Sequence, residues 1–237
     1  MIDIYPTSEN SVLITWPEKI CSVQHQHILA TLDKIKIVLG SLIFESLASY
    51  NSIIIYYHFD KITFNQLKPR IQGCISQADH LHTQRESESL LTEIPVYYGN
   101  DAGWDLSKIA NTCQLSTEEI IKLHSQHIYR SYALGFTPGF CYLGTLNEKL
   151  VLPRKSTPRL SVPKGAVAIA EQQTAVYPST SPGGWHIIGQ TPLDLHQKYN
   201  GEIEPLIKIG QQIKFVAIDK ATFIELAGYY PITEENM

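Results

Sequence analysis

Cysteine is scarce and poorly placed for chemistry. The four present, Cys21, Cys74, Cys113 and Cys141, stand 53, 39 and 28 residues apart, and none belongs to a CxxC pair. That excludes half of a zinc or thiol redox site and fits a reducing compartment. Long apolar runs are missing too. No stretch reaches the ~18 residues of a membrane span, and the start, Met-Ile-Asp, has neither a basic region nor an apolar core for export. The sequence therefore predicts a cytoplasmic protein with no membrane partner. Positive charge is not in excess: 19 lysines and arginines against 23 acids leave a net charge of −4, which gives no electrostatic footprint for nucleic acid. The histidines, His124 and His127 included, form no cluster with acids or thiols, so no metal is expected.

What the chain does have is an ordinary globular composition, with 43% apolar and 18% charged residues over 237 positions, enough for two small cores. SVLITW (11–16) reads as a strand, and about Lys19 to Leu39 as a helix that Gly40 ends. IFESLASY (43–50) and SIIIYYHF (52–59) read as two more strands, followed by a helix from about Phe64 to His82 and a strand IPVYYG (94–99). The order β, α, β, β, α, β predicts a ferredoxin-like α+β domain over residues 1–90. The polar run Gln84 to Glu93 is the expected linker, which leaves 91–237 as the second domain.

That second domain begins with two short helices, 105–113 and 116–127. Asp105 is expected as an N-cap, and Ser116 with Glu119 forms a capping-box pattern. Residues 101–130 carry four acids against three cations, so the pair reads as packed helices rather than a DNA-reading element. From Tyr132 the texture changes. Seven of the 13 prolines and seven of the 14 glycines fall between Gly135 and Pro192. Between these breakers lie VAIA (167–170), TAVYP (174–178), WHIIG (185–189) and then IKFVAI (213–218), a pattern that predicts a small closed β-barrel.

Three stretches of this half carry chemical interest. GFTPGFCYLG (135–144) has three glycines, three aromatics and no charge, so its backbone can approach a ligand while Phe136 and Phe140 wall it, unless those rings simply fill a barrel corner. Cys141 has no base beside it in sequence and is expected to be inert. Between Glu148 and Glu171 stand five cations, Lys149, Arg154, Lys155, Arg159 and Lys164, and no acid. Prolines 153, 158 and 163 restrict the backbone from which three of them project. Such a segment asks for a small anionic partner, and an arginine held this way suits a carboxylate. SPGGWHIIGQT (181–191) supplies a bend without side chains at Gly183 and Gly184, beside Trp185 and an imidazole, His186, that titrates near neutrality.

The succession GFTPGFCYLG, then PRKSTPRLSVPKGAVAIAEQQTAVYPSTSPGGWHIIGQTP (153–192), resembles the signature of the family that includes the 5-oxoprolinase B component (PxpB) and the sporulation-kinase inhibitor KipI, also called allophanate hydrolase subunit 1-like. Departures from the family pattern are Cys141 for a small residue or proline, Ala166 for serine and Glu171 for glycine. The resemblance implies a ferredoxin-like domain followed by a cyclophilin-like β-barrel. It also implies partnership with 5-oxoprolinase subunits C and A, and use of ATP by the complex to open 5-oxo-L-proline to L-glutamate. The alternative it leaves open is a KipI-like inhibitor of a sensor histidine kinase, and related modules occur in urea carboxylase. Residue chemistry at the motif positions nominates Arg159 as the substrate carboxylate grip and His186 as the acid, base or orienting group. The Gly183 and Gly184 amides would face an oxyanion, and Lys164, Gln173, Ser181, Gln190, Phe136 and Phe140 would complete the substrate pocket.

Overall fold

The computed structural model of the chain describes residues 1–78, 91–199 and 202–234, and divides it into two units, Met1–Ser89 and Leu90–Met237.

The first unit contains strands β1 (Asp3–Ser8), β2 (Ser11–Thr15), β3 (Ile43–Ala48) and β4 (Ser52–Tyr57), with helices α1 (Ser22–Leu39) and α2 (Phe64–Ala78). The sheet is antiparallel in the order β1-β2-β4-β3. Alternation along β2 and β4 buries Val12, Ile14, Ile53 and Ile55 completely, where they meet Ile28, Ile35, Leu67 and Ile71 of the helices. Trp16 completes this core because its indole N–H donates to His27 Nδ1 at 3.0 Å. The arrangement corrects the expected element order. The strand expected at 94–99 is not in this sheet; the fourth position, beside β2, is taken by Asp3–Ser8. Pro6 is tolerated in this segment because an edge strand has one side of its backbone with no neighbour to bond. The last turn expected for α2, to His82, and most of the expected linker fall on 79–90, outside the described residues, while Leu91–Glu93 already belong to a strand.

The second unit contains β5 (Leu91–Tyr97), α3 (Leu106–Cys113), α4 (Thr117–Ser125), β6 (Ile128–Leu134), β7 (Cys141–Gly144), β8 (Arg159–Val162), β9 (Ala166–Ala170) and β10 (Gln173–Val176). It continues with β11 (Ser181–Gly183), β12 (His186–Gln190), the hairpin β13 (His196–Tyr199) and β14 (Glu202–Pro205), then β15 (Gln212–Ile218) and α5 (Lys220–Ala227). Seven strands close a barrel in the order β10-β7-β6-β15-β5-β12-β9. Its first and last strands, β5 and β15, lie side by side and parallel from Leu91 and Gln212 to Tyr97 and Ile218. The runs at 167–170, 174–178, 185–189 and 213–218 all contribute barrel strands. The capping box is present: the Ser116 N–H donates to Glu119 Oε2 at 2.7 Å and the Glu119 N–H to Ser116 Oγ at 3.1 Å.

β9 explains how the barrel carries a second packed layer. All five of its residues are buried. Val167 and Ile169 point into the main barrel core with Ile94, Val96, Tyr129 and Phe215, whereas Ala166, Ala168 and Ala170 face a separate cluster of Phe140, Tyr177, Trp185 and Ile187. A strand buried on both faces loses polar alternation, and alanines on one face let large rings approach the backbone. The two-stranded β8–β11 ribbon packs on this cluster through Val162, and Gly183 meets Tyr177.

Candidate functional site

The glycine-rich, aromatic and cationic segments converge on a cleft of about 180 Å³ in the second unit. Phe136, Phe140, Tyr142 and Tyr177 line it, with Trp185, the stretch Pro182–Gly184, Pro158, Arg154 and Lys155. Phe140 sits at the centre of the ring cluster, with Tyr142 at 4.9 Å, Phe136 at 5.3 Å, Tyr177 at 5.4 Å and Trp185 at 5.9 Å between centroids. The turn that places it is closed by the Phe140 N–H on Thr137 O at 3.0 Å, with Gly139 at φ 84° and Phe136 itself at φ 73°. A phenylalanine in the left-handed region is costly; here it leaves the ring 61% exposed at the cleft mouth.

Gly183 and Gly184 line the cleft for different physical reasons. A Cβ on Gly183 would stand 2.2 Å from the Tyr177 hydroxyl oxygen, whereas one on Gly184 would meet Pro158 at 3.6 Å, an ordinary contact. The Tyr177 hydroxyl also faces the backbone N–H of Trp185, and burial pushes its pKa up to about 12, so it stays protonated at neutral pH. Gly183→Ala is therefore expected to destabilise the second unit by roughly 1–3 kcal/mol and to displace Tyr177, while Gly184→Ala stays within about 0.5 kcal/mol of wild type. Denaturant titration of the two variants, followed by tryptophan fluorescence, checks the contrast. Equal losses would show that the close approach of Gly183 to Tyr177 is not required.

Behind the cleft Arg159 is engaged with carboxylates of the protein itself. Its Nη1 and Nη2 donate to Asp105 Oδ2 at 2.7 Å and Oδ1 at 3.0 Å, its Nε to Glu234 at 2.8 Å, and its guanidinium lies 5.3 Å from the Trp104 ring centre. The carboxylate it grips is Asp105, whose side chain also takes Lys155 Nζ at 2.9 Å and the Ile187 N–H at 2.8 Å. Burial alone would raise the pKa of Asp105, but donation from Arg159, Lys155 and Ile187 outweighs it and holds the carboxyl below its usual range. Asp105 does occupy the N-cap position of α3, but its side chain makes no capping hydrogen bond. Sequence reading missed this hub, since an aspartate before a helix already has a sufficient local explanation.

The other nominated residues separate. His186 is 8% exposed, stands outside the cleft lining and bonds Pro153 O through Nε2 at 2.9 Å, while its Nδ1 has no hydrogen-bond partner among the described residues. Lys164 pairs with Asp194 on the surface and is also outside the lining. Gln190 clamps both backbone groups of Ile232. Gln173 lies in the barrel ladder opposite Gly144 and Ala170, and Ser181 pairs in register with Val162 with its hydroxyl buried. None of these three lines the cleft. Cys141 is buried beside Ser131 and burial pushes its thiol up to about 12, which removes its nucleophilicity. Among the described residues no three histidines, cysteines or acids stand together as a metal site, and no helix is long and apolar enough to cross a membrane.

Residues 2–206 match the family described as carboxyltransferase domain, subdomain C and D. A protein of Haemophilus influenzae named as the B component of 5-oxoprolinase is 36% identical over 223 residues, covering 91% of this chain and 97% of its own. A protein of the same name from Bacillus subtilis is 45% identical over 133 residues, so that match spans 56% of this chain and about half, 55%, of the relative. Among solved structures, the Kluyveromyces lactis urea carboxylase shares the fold over 94% of this chain and 22% of its own, with a TM-score of 0.72 at 13% identity. On the family match and the full-length relative together, the chain belongs to the carboxyltransferase subdomain C and D family, in the group of 5-oxoprolinase B components.

Proposed function

We propose that this chain is one component of an ATP-dependent 5-oxoprolinase that acts together with subunits C and A, its barrel pairing with that of the C component. The observation that carries the reading is the match to a protein named as the B component of 5-oxoprolinase over 97% of that protein. The cleft supports it, since about 180 Å³ walled by rings and edged by cations suits a small ring-shaped acid. It is smaller than the roughly 300–1,000 Å³ of sites for drug-sized molecules, and so does not suit a nucleotide. ATP serves the chemistry of the whole assembly. Transfer of its terminal phosphoryl group to the lactam oxygen makes the ring carbonyl carbon a better electrophile. Water then adds there and the ring C–N bond breaks, leaving the acyl phosphate of L-glutamate; a second water cleaves that acyl phosphate, giving L-glutamate and phosphate, with ADP already released from the transfer. The closed barrel is a cyclophilin-like one, and the first unit is a ferredoxin-like sandwich whose fourth strand comes from the N-terminal side.

Co-expression of all three components, with ATP-dependent formation of glutamate from 5-oxo-L-proline as the assay, tests the reading. Activity is expected only when this chain is present. Equal activity in its absence would overturn the assignment.

A further inference from the structure

We propose that Arg154 is the anion-binding residue of the cleft, and that the cleft takes a small cyclic monocarboxylate with its ring against the accessible Phe136 and Tyr142 and its carboxylate on the Arg154 guanidinium. The proposal names the substrate grip of the 5-oxoprolinase site, and rests on that reading for the identity of the ligand.

Of the cations in this region, two are already committed. Lys155 lines the cleft, but its ammonium lies on the buried Asp105, and Arg159 has spent both terminal nitrogens on the same carboxylate. Lys164 is paired elsewhere. Arg154 differs. Among the described residues its only ion pair is through Nε to Glu171 at 3.3 Å, both side chains are 56% exposed, and such a surface pair is weak and readily exchanged for another anion. The two Nη groups are left as a fork for a bidentate grip. Arg154 lines the cleft together with both of its phenols, Tyr142 and Tyr177.

The backbone around Arg154 is fixed on each side. Before it, Pro153 O is held by His186 Nε2 at 2.9 Å; after it, the Lys155 N–H donates to Gly184 O at 2.8 Å. Leu152 and Glu171 are joined by a bridge, the Glu171 N–H donating to Leu152 O at 2.6 Å, which keeps the competing carboxylate next to the guanidinium. A long, mobile side chain thus springs from an anchored point at the edge of an aromatic cleft. His186 acquires a role here as a positioning residue for the Pro153–Arg154 step.

The test uses the reconstituted three-component complex with 5-oxo-L-proline as substrate and 2-pyrrolidinone, the same lactam without a carboxylate, as competitor. Arg154→Gln is expected to raise KM for 5-oxo-L-proline on the order of 10- to 100-fold, as loss of a charge-assisted contact would, with inhibition by 2-pyrrolidinone unchanged. Arg154→Lys should recover part of the loss, and Glu171→Gln, which removes the competing carboxylate, should leave KM equal or lower. If Arg154→Gln and Glu171→Gln weaken 5-oxo-L-proline alike, the ion pair is structural and the proposal fails. It fails equally if Arg154→Gln weakens 2-pyrrolidinone as much as 5-oxo-L-proline, or if KM does not move in a complex that needs this chain. Activity that does not need this chain at all overturns the 5-oxoprolinase reading, and the ligand's identity with it.

Discussion

Asp105→Ala is expected to cost the second unit on the order of 3–5 kcal/mol, more than either glycine substitution at the cleft. The carboxylate has a side-chain exposure of 4%, and removing it strands Arg159 at 12% and Lys155 at 17% with no buried anion to meet them. It also leaves the Ile187 N–H without its 2.8 Å acceptor, although the reciprocal Asp105 N–H to Ile187 O contact at 2.9 Å survives. Asp105→Asn separates the effects, because an amide oxygen still accepts from Ile187 while the charge is gone; its loss should be smaller than that of alanine but well above 1 kcal/mol. Since the main penalty is two largely buried cations that lose their buried anion, Arg159 keeping only the exposed Glu234, Asp105→Ala combined with Arg159→Leu should recover part of the stability. Denaturant unfolding of the four proteins at neutral pH decides the matter. A loss below about 1 kcal/mol for Asp105→Ala would mean that the network behaves as an exposed ion pair.

The same residue marks the limit of what the sequence made legible. Four of the seven barrel strands, β9, β10, β12 and β15, could be read because each is a short β-branched or apolar run set off by glycine or proline, whereas β5 is expected in the first unit and β6 and β7 do not read as strands; the Ser116 and Glu119 cap was legible because both of its partners lie within one turn. The cleft was legible as three segments of unusual composition, and all three deliver lining residues or immediate neighbours of them. Which cation serves the cleft was not. The sequence favours Arg159, yet Arg159 and Lys155 are both engaged by Asp105, 54 and 50 residues before them, which also takes the N–H of Ile187, 82 residues on. Pairing between such distant positions leaves no local pattern. The same holds for the first unit's fourth strand: nothing in IPVYYG announces that its partners are β12 and β15 rather than β2.

Acidification is expected to weaken the barrel well before its carboxylates begin to protonate, through His124. The ring is fully buried, stacked on Phe215 at 4.5 Å between centroids. The Thr174 hydroxyl donates to Ala168 O at 3.1 Å, so it accepts from His124 Nε2 at 2.8 Å, and Nδ1 then accepts from the Tyr98 hydroxyl at 2.8 Å. That network serves the neutral ring alone, since a proton on Nδ1 would confront the Tyr98 donor. Burial, with a smaller contribution from the nearby His127, pushes the pKa of His124 down to about 3. The unfolded chain, with histidine near 6.5, therefore binds the proton first. Stability is complete above about pH 6.5 and falls by about 1.4 kcal/mol per pH unit below it, until the folded state also protonates near pH 3. The depressed carboxyls of Asp101 and Asp105 act in the same direction, but only below about pH 4. Between about pH 6 and 4.5, then, the unfolding free energy of His124→Phe should show a slope shallower than wild type by about 1.4 kcal/mol per unit. The variant should also be less stable at about pH 7 by roughly 1–3 kcal/mol, because Tyr98 and Thr174 lose their partner. Parallel pH profiles for the two proteins would mean that His124 is protonated inside the folded barrel, and that the hydroxyl network is arranged otherwise.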